Sequence, residues 1–202
     1  MPEIKNKKRK GKEKMQKNGK GVSRVLIFVL AVVLFFAISA VGKYNGLVKL
    51  DEEVKNAWAN VEAQYQRRAD LIPNLMETVK GYAKHEESVL TDIAKLRAGY
   101  QAAKTPDEYT QLDQELSKVI NVAVEAYPDL KASENFLQFQ DELAGTENRI
   151  AVSRRDYNEA VMKFNKNRRR FPNNIYAGIF GFEEKVPFKA APGSENSPQV
   201  KF

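Results

Sequence analysis

The sequence predicts an all-α protein: an N-terminal transmembrane helix followed by an antiparallel four-helix bundle with long helices. Three observations carry this. Residues 25–42, VLIFVLAVVLFFAISAVG, form an unbroken uncharged run in which only Ser39 is polar. Between Lys43 and Arg170 the only helix-disfavouring residues are Gly46, Gly81, Gly99, Gly145, Pro73, Pro106 and Pro128, in a background of strong helix formers. No stretch there alternates apolar and polar residues as a half-buried strand would.

Charge is divided unevenly along the 202 residues, whose net charge is +7. Residues 1–24 hold Lys5, Lys7, Lys8, Arg9, Lys10, Lys12, Lys14, Lys17, Lys20 and Arg24 against Glu3 and Glu13, whereas the rest of the chain is nearly neutral. A nucleic-acid-binding domain carries its excess charge on the fold itself, so no nucleic-acid partner is expected. The uncharged run of 18 residues spans about 27 Å as a helix, close to the roughly 30 Å hydrocarbon core. Beyond it, Lys43, Lys49 and Lys55 balance Asp51, Glu52 and Glu53. The basic side stays in the cytoplasm, so residues 1–24 read as a cytoplasmic tail and everything after residue 42 as extracytoplasmic. Tyr44 suits the interface. A cleaved signal peptide, with small residues at Ala37-Ile38-Ser39 or Ile38-Ser39-Ala40, is the rival; the apolar run exceeds the roughly 7–15 residues usual for one.

Residues 43–170 carry apolar residues at steps of three and four in four pieces, each giving a helix one stripe to bury. The first is Leu47, Leu50, Val54, Ala57 and Val61, widened by Trp58 and Tyr65. The second runs from Leu75 through Val79, Tyr82, Glu86, Val89, Ile93 and Leu96 to Tyr100. The third is Leu112, Leu116, Val119, Ala123 and Ala126. The fourth runs from Phe136 through Gln140, Leu143, Glu147, Ile150, Arg154, Tyr157, Val161 and Phe164 to Arg168. Thr105-Pro-Asp-Glu108 is a capping box with Pro106 at a tolerated position. Pro128 ends the third helix and Ser133 caps the fourth. Asp70 can cap a new helix before Pro73; if Pro73 only kinks the chain, the first two stripes share one rod. Residues 171–188 are rich in Phe and Ile and read as an irregular aromatic arm packed on the bundle, and residues 189–202 read as disordered.

Candidate chemistry is sparse. The chain has no Cys and His85 is its one histidine, which excludes thiol catalysis, disulfides, Cys-ligated metals and any site needing two histidines. No P-loop, dinucleotide fingerprint, nucleophile elbow or Ser/His/Asp set is present, so no catalytic, cofactor or metal residue is assigned and a non-enzyme is expected. Glu86, Glu147 and Arg154 occupy stripe positions, and Arg68 falls on the first stripe's count. Buried charge is costly unless paired, so these residues with Asp70 read as a polar layer, structural or ligand-binding: Arg154 with Glu86 or Glu147, and Arg68 with Asp70 or a neighbouring carboxylate. Arg168, Arg169 and Arg170, near Lys163 and Lys166, suit a helix C-terminus or contact with anionic lipid or an acidic polymer. Phe171, Phe180, Phe182 and Phe188 are candidates for docking a partner.

Several stretches resemble the LemA family of bacterial membrane-anchored helical proteins: Tyr44-Asn-Gly-Leu-Val48; Ala57-Trp58; Gln64-Tyr65-Gln-Arg67-Arg68-Ala-Asp70-Leu-Ile-Pro73-Asn-Leu75; Gly81-Tyr82-Ala-Lys-His85-Glu86; Tyr127-Pro-Asp-Leu-Lys131; Thr146-Glu147-Asn148-Arg-Ile150-Ala; Arg155-Asp-Tyr157-Asn158; and Phe171-Pro172 with Gly181-Phe182. They run in order over residues 44–188. The resemblance implies an N-terminal anchor, a helical extracytoplasmic bundle and a loose association with envelope maintenance and membrane peptidases, and it supplies no catalytic residues. The expected function is a non-enzymatic single-pass envelope scaffold or adaptor. Its partners would be the lipid bilayer and another membrane or envelope protein, with self-association left open. Binding of an anionic lipid surface or acidic envelope polymer is the alternative.

Overall fold

The computed structural model describes residues 3–82 and 87–189, with side chains described over 26–82 and 88–189. Glu86, the side chains of the basic segment 1–24, and residues 190–202 of the expected disordered tail lie outside the described residues. The described residues are helical, with no strand: α1 (Glu3–Lys80), α2 (Glu87–Ala102), α3 (Pro106–Ala126), α4 (Glu134–Arg169) and α5 (Asn173–Phe180), with a short 3-10 helix at Pro128–Ala132 between α3 and α4. α1 and α4 form the main packed pair; α2 lies on α1, α3 on α2, and α5 against both α1 and α4.

α1 runs unbroken from the apolar segment into the core. Residues 26–38 are exposed along the helix, Ser39 and Ala40 are half-buried, and burial begins at Leu47. This one helix is long and apolar enough to cross a membrane. The buried face then reads Leu47, Val54, Val61, Tyr65, Arg68, Ile72, Leu75 and Val79, in steps of seven, four and three.

Pro73 lies inside α1 and does not end it. A mid-helix proline removes one donor and crowds the carbonyl four residues back, at about 3 kcal/mol. Burial of Ala69, Ile72, Leu75 and Val79 around it offsets that cost, since a buried aliphatic side chain contributes roughly 1.5–3 kcal/mol. Asp70 is therefore an exposed mid-helix residue, accepting from Gln66 Nε2 at 2.9 Å, and caps nothing. The chain turns after Lys80, where the Tyr82 N–H reaches Val79 O at 2.9 Å. The second stripe is thus divided, with Leu75 and Val79 on α1 and Val89, Ile93, Leu96 and Tyr100 on α2.

α2 and α3 meet closely at Gly99, where an added Cβ would stand 2.5 Å from Leu112 Cδ2. α3 begins at the expected capping box: the Glu108 N–H donates to Thr105 Oγ1 at 3.3 Å, and Glu108 Oε2 accepts from the Thr105 N–H at 3.0 Å. Thr105→Ala is expected to cost about 1 kcal/mol, read as a small fall in melting temperature by circular dichroism. An unchanged melt would show that Pro106 alone starts the helix. Ser133 occupies the N-cap of α4, but its hydroxyl makes no capping bond.

The buried face of α4 is Phe136, Phe139, Thr146, Ile150, Ser153, Tyr157, Val161 and Phe164. Thr146 and Ser153 take the core positions that the stripe count gives to Glu147 and Arg154. Both are small, and their hydroxyls donate back to Leu143 O (2.7 Å) and Ile150 O (3.0 Å), which removes the cost of burying them. Glu147 and Arg154 stand at the border instead. The arm also departs from irregularity: residues Asn173–Phe180 form α5, which buries Ala177 and ends at Gly181 in the left-handed conformation (φ 73°). The Phe182 N–H returns to Ala177 O at 2.9 Å, a Schellman closure that only glycine at this position allows cheaply. Residues 182–189 then run extended along α4.

Candidate functional site

Two arrangements of polar side chains stand out, and Arg154 and Phe188 join them. The first is centred on Arg68, a guanidinium 2% exposed on the core face of α1. Its Nη1 donates to Asp113 Oδ1 on α3 and its Nη2 to Glu147 Oε2 on α4. Asp113 also accepts from the Tyr65 hydroxyl on α1 and the Tyr100 hydroxyl on α2, each at 2.9 Å, and Arg154 Nη1 on α4 lies 3.6 Å from its Oδ2. Tyr65 stacks on Tyr109 with ring centroids 4.0 Å apart. One carboxylate thus gathers side chains from all four long helices. Of the residues read from sequence, Arg68, Glu147 and Arg154 come together here, and Asp70 does not. Asp113, unassigned from sequence, is the hub. The signal for it was its place at i+4 from Tyr109 and i−3 from Leu116, which share the buried face of α3.

The electrostatics follow from burial. Desolvation works against a charged Arg68, but the Asp113 and Glu147 carboxylates outweigh it and hold the guanidinium more firmly protonated than usual. Burial pushes the Asp113 carboxyl above its ordinary range, with the Glu147 charge adding to this and Arg68 and the two tyrosine hydroxyls pulling back. Tyr65 and Tyr100 are both raised, chiefly by burial and then by the charge of Asp113. Their contribution to stability is fully present below the ordinary phenol value near 10 and is lost as pH rises beyond it, because the unfolded chain releases these protons first. The expected loss is about 1.4 kcal/mol per pH unit per tyrosine. In an alkaline titration neither should give tyrosinate absorbance until tertiary structure is lost. Ionisation of either in the folded protein, identified by difference from its Phe variant, would contradict the cluster as described.

The second arrangement clamps the extended arm. Asn158 donates Nδ2–H to Phe188 O at 3.0 Å and accepts from Phe188 N–H at 2.8 Å. Asn165 repeats the pattern with Lys185, at 2.8 Å and 3.0 Å. The two asparagines are seven residues apart on a helix, a rise of about 10.5 Å, and their partners are three apart on an extended chain, about 10 Å. The spacings match, so each side-chain amide pairs with the arm as a neighbouring strand would. The Tyr157 hydroxyl donates to Val186 O at 3.0 Å, and Arg168 Nε donates to Phe182 O at 2.7 Å. Lys185 reaches back to Asp51 on α1 at 2.7 Å, and Arg169 to Glu184 at 3.1 Å. Phe188 is buried, stacked on Trp58 at 6.0 Å, with the Arg154 guanidinium 4.4 Å above its ring. Arg154 therefore touches both the arm and Asp113.

The arm's phenylalanines divide. Phe182 and Phe188 pack on the core, whereas Phe171 is 81% exposed and Phe180 is exposed beside Tyr44, at 4.9 Å. Arg170 is exposed, with no ion-pair partner among the described residues. Sequence reasoning gave Asn158, quoted only within the Arg155–Asn158 stretch, and Asn165 no role; their partners come into reach only when the arm is laid over α4. Among the described residues no group of three or more His, Cys, Asp or Glu is placed to hold a metal ion. Both oxygens of Asp113 are engaged by side chains from α1, α2 and α4.

Comparison with known proteins finds relatives over most of the chain. The chain is 31% identical to Protein LemA of Metamycoplasma hominis over 83% of this chain and 78% of that protein. It is 26% identical to magnetosome protein MamQ 2 of Paramagnetospirillum magneticum over 87% of this chain and 76% of the relative, and 22% identical to magnetosome protein MamQ of Magnetospirillum gryphiswaldense over 93% and 81%. The model of the LemA family matches residues 57–202. With α1 long and apolar enough to cross a membrane and a helical domain built on its far half, the chain belongs to the LemA family.

Proposed function

We propose that the protein is a non-enzymatic, single-pass membrane scaffold or adaptor. Residues 1–24 lie in the cytoplasm, α1 crosses the bilayer over 25–42, and residues 43–170 form an antiparallel four-helix bundle on the extracytoplasmic side that binds another membrane or envelope protein. The observation that carries this is the continuity of α1: the apolar segment and the core-forming face are one helix, so the domain is held at a fixed attitude over the membrane. Likeness to relatives named for the magnetosome, and not for a reaction, supports this reading.

The partner surface is the groove of about 1090 Å³ between α4 and the outer edge of the clamped arm. Its lining combines Arg155, Lys166, Arg169, Arg170 and Lys185 with Glu159 and Glu184, around exposed Met162. Arg155, Arg169 and Lys185 are paired with Asp156, Glu184 and Asp51, which leaves Lys166 and Arg170, without ion-pair partners among the described residues, to meet an acidic segment of the partner. A photo-cross-linker at Met162 in native membranes should trap one protein that a cross-linker at exposed Val122 on α3 does not, and Lys166→Glu should diminish that adduct. Adducts to lipid alone, or equal adducts from both positions, would overturn the reading. Binding of anionic lipid or acidic polymer by Arg168–Arg170 is the weaker alternative, because Arg168 and Arg169 are already engaged by Phe182 and Glu184.

A further inference from the structure

The chain between Arg168 and Glu184 closes on itself. Arg168 Nε donates to Phe182 O at 2.7 Å and Arg169 pairs with Glu184 at 3.1 Å, so the loop begins and ends at one charged base. Within it, residues 171–182, FPNNIYAGIFGF, carry no charge. The loop is folded as α5 and lies against α1 at the C-terminal end of its apolar run. Ala177 is buried, the Tyr176 hydroxyl shares a 2.9 Å hydrogen bond with Ser39, and Phe180 and Phe182 pack beside Tyr44. Ser39 is three residues inside the end of the run, about 4.5 Å along the axis. The outward side of α5 presents Ile175 and Ile179, four residues apart, with Phe171 just before the helix; Ile179 is 69% exposed and Phe171 81%. A contiguous apolar face of this kind, beside a membrane-crossing helix and at that depth, matches an interfacial element buried roughly 5–10 Å into the bilayer.

We propose that α5 is a second membrane-contacting element, set into the leaflet that holds the C-terminal end of the α1 span, with Ile175, Ile179 and Phe171 in the acyl region and the charged base at headgroup level. The occupant of this face is lipid. The contact is apolar, so it does not depend on anionic headgroups. Tyr176 and Ser39 satisfy each other's hydroxyls below the headgroups, where water is scarce. The proposal rests on the reading that α1 spans the membrane, and it makes α5 a wedge that fixes how the helical domain meets the bilayer.

The chain has no Cys, so single cysteines give unique spin-label sites in the full-length protein. Ile179→Cys, Phe35→Cys in the span and Met162→Cys on α4 are compared in nanodiscs of phosphatidylcholine alone, reading relaxation by oxygen against relaxation by a water-soluble nickel chelate. The expected result is an oxygen preference at 179 that approaches that at 35 and exceeds that at 162 severalfold. A label at 179 as nickel-accessible as that at 162, with 35 protected, overturns the α5 proposal and leaves the span standing. Nickel access at 35 overturns the span and the α5 proposal together. Ile175→Cys repeats the measurement on the same face, so the result does not depend on one variant.

Discussion

Replacing Asp113 with alanine is expected to lower stability by about 3–5 kcal/mol, because it leaves the Arg68 guanidinium buried without its main counter-charge. Arg68 is 2% exposed, and its remaining carboxylate, Glu147, is 60% exposed and water-screened. The same change strands the Tyr65 and Tyr100 hydroxyls, which both donate to Asp113. For a domain of this size the loss corresponds to a fall in melting temperature on the order of 10–20 °C, followed by the fluorescence of Trp58 in the detergent-solubilised protein. Glu147→Ala, at the exposed end of the cluster, should cost only about 1 kcal/mol or less. Equal effects at 113 and 147 would mean that Asp113 is not the hub.

Replacing Asn158 and Asn165 together should release the arm. Each amide makes a donor and an acceptor bond to one backbone residue of the extended segment. A net hydrogen bond contributes roughly 0.5–1.5 kcal/mol, so the double alanine variant is expected to lose about 3 kcal/mol. Its more specific signature is spectroscopic. Trp58, the sole tryptophan, stacks on Phe188 at 6.0 Å, so loss of the arm exposes it and shifts its emission to the red, and amide exchange over residues 182–189 should rise. An unshifted emission would show that Tyr157, Arg168 and the Asp51–Lys185 bridge hold the arm without the asparagines.

These contacts also show where sequence reading succeeds and where it stops. The apolar run at 25–42 and the capping box at Thr105 are local patterns with local causes, and the fold keeps both. Pro73 is ambiguous from sequence because the cost of a mid-helix proline is local, while the burial that offsets it, from Ala69 to Val79, comes from other helices. The fourth stripe slips by one position for a related reason: heptad counting admits Glu147 or Thr146, and only the hydroxyl's return to Leu143 O makes Thr146 the cheaper residue to bury. Arg68 was legible as a charge on an apolar stripe, but its partner Asp113 was masked by the neighbouring Leu112. The asparagine clamp was invisible, since its meaning depends on a match between helical and extended rise across residues 20 to 30 positions away.

The central claim is that one rigid helix carries the folded domain from the bilayer. Paired spin labels at Phe35→Cys, within the span, and Gln66→Cys, exposed on the same helix beside the polar cluster, measure it directly by pulsed dipolar spectroscopy in nanodiscs. At 1.5 Å per residue an unbroken α1 places the two backbones about 46 Å apart, and a narrow distribution near that distance is the predicted result. A broad distribution, or one centred well below it, would place a hinge between the membrane and the domain and contradict the account.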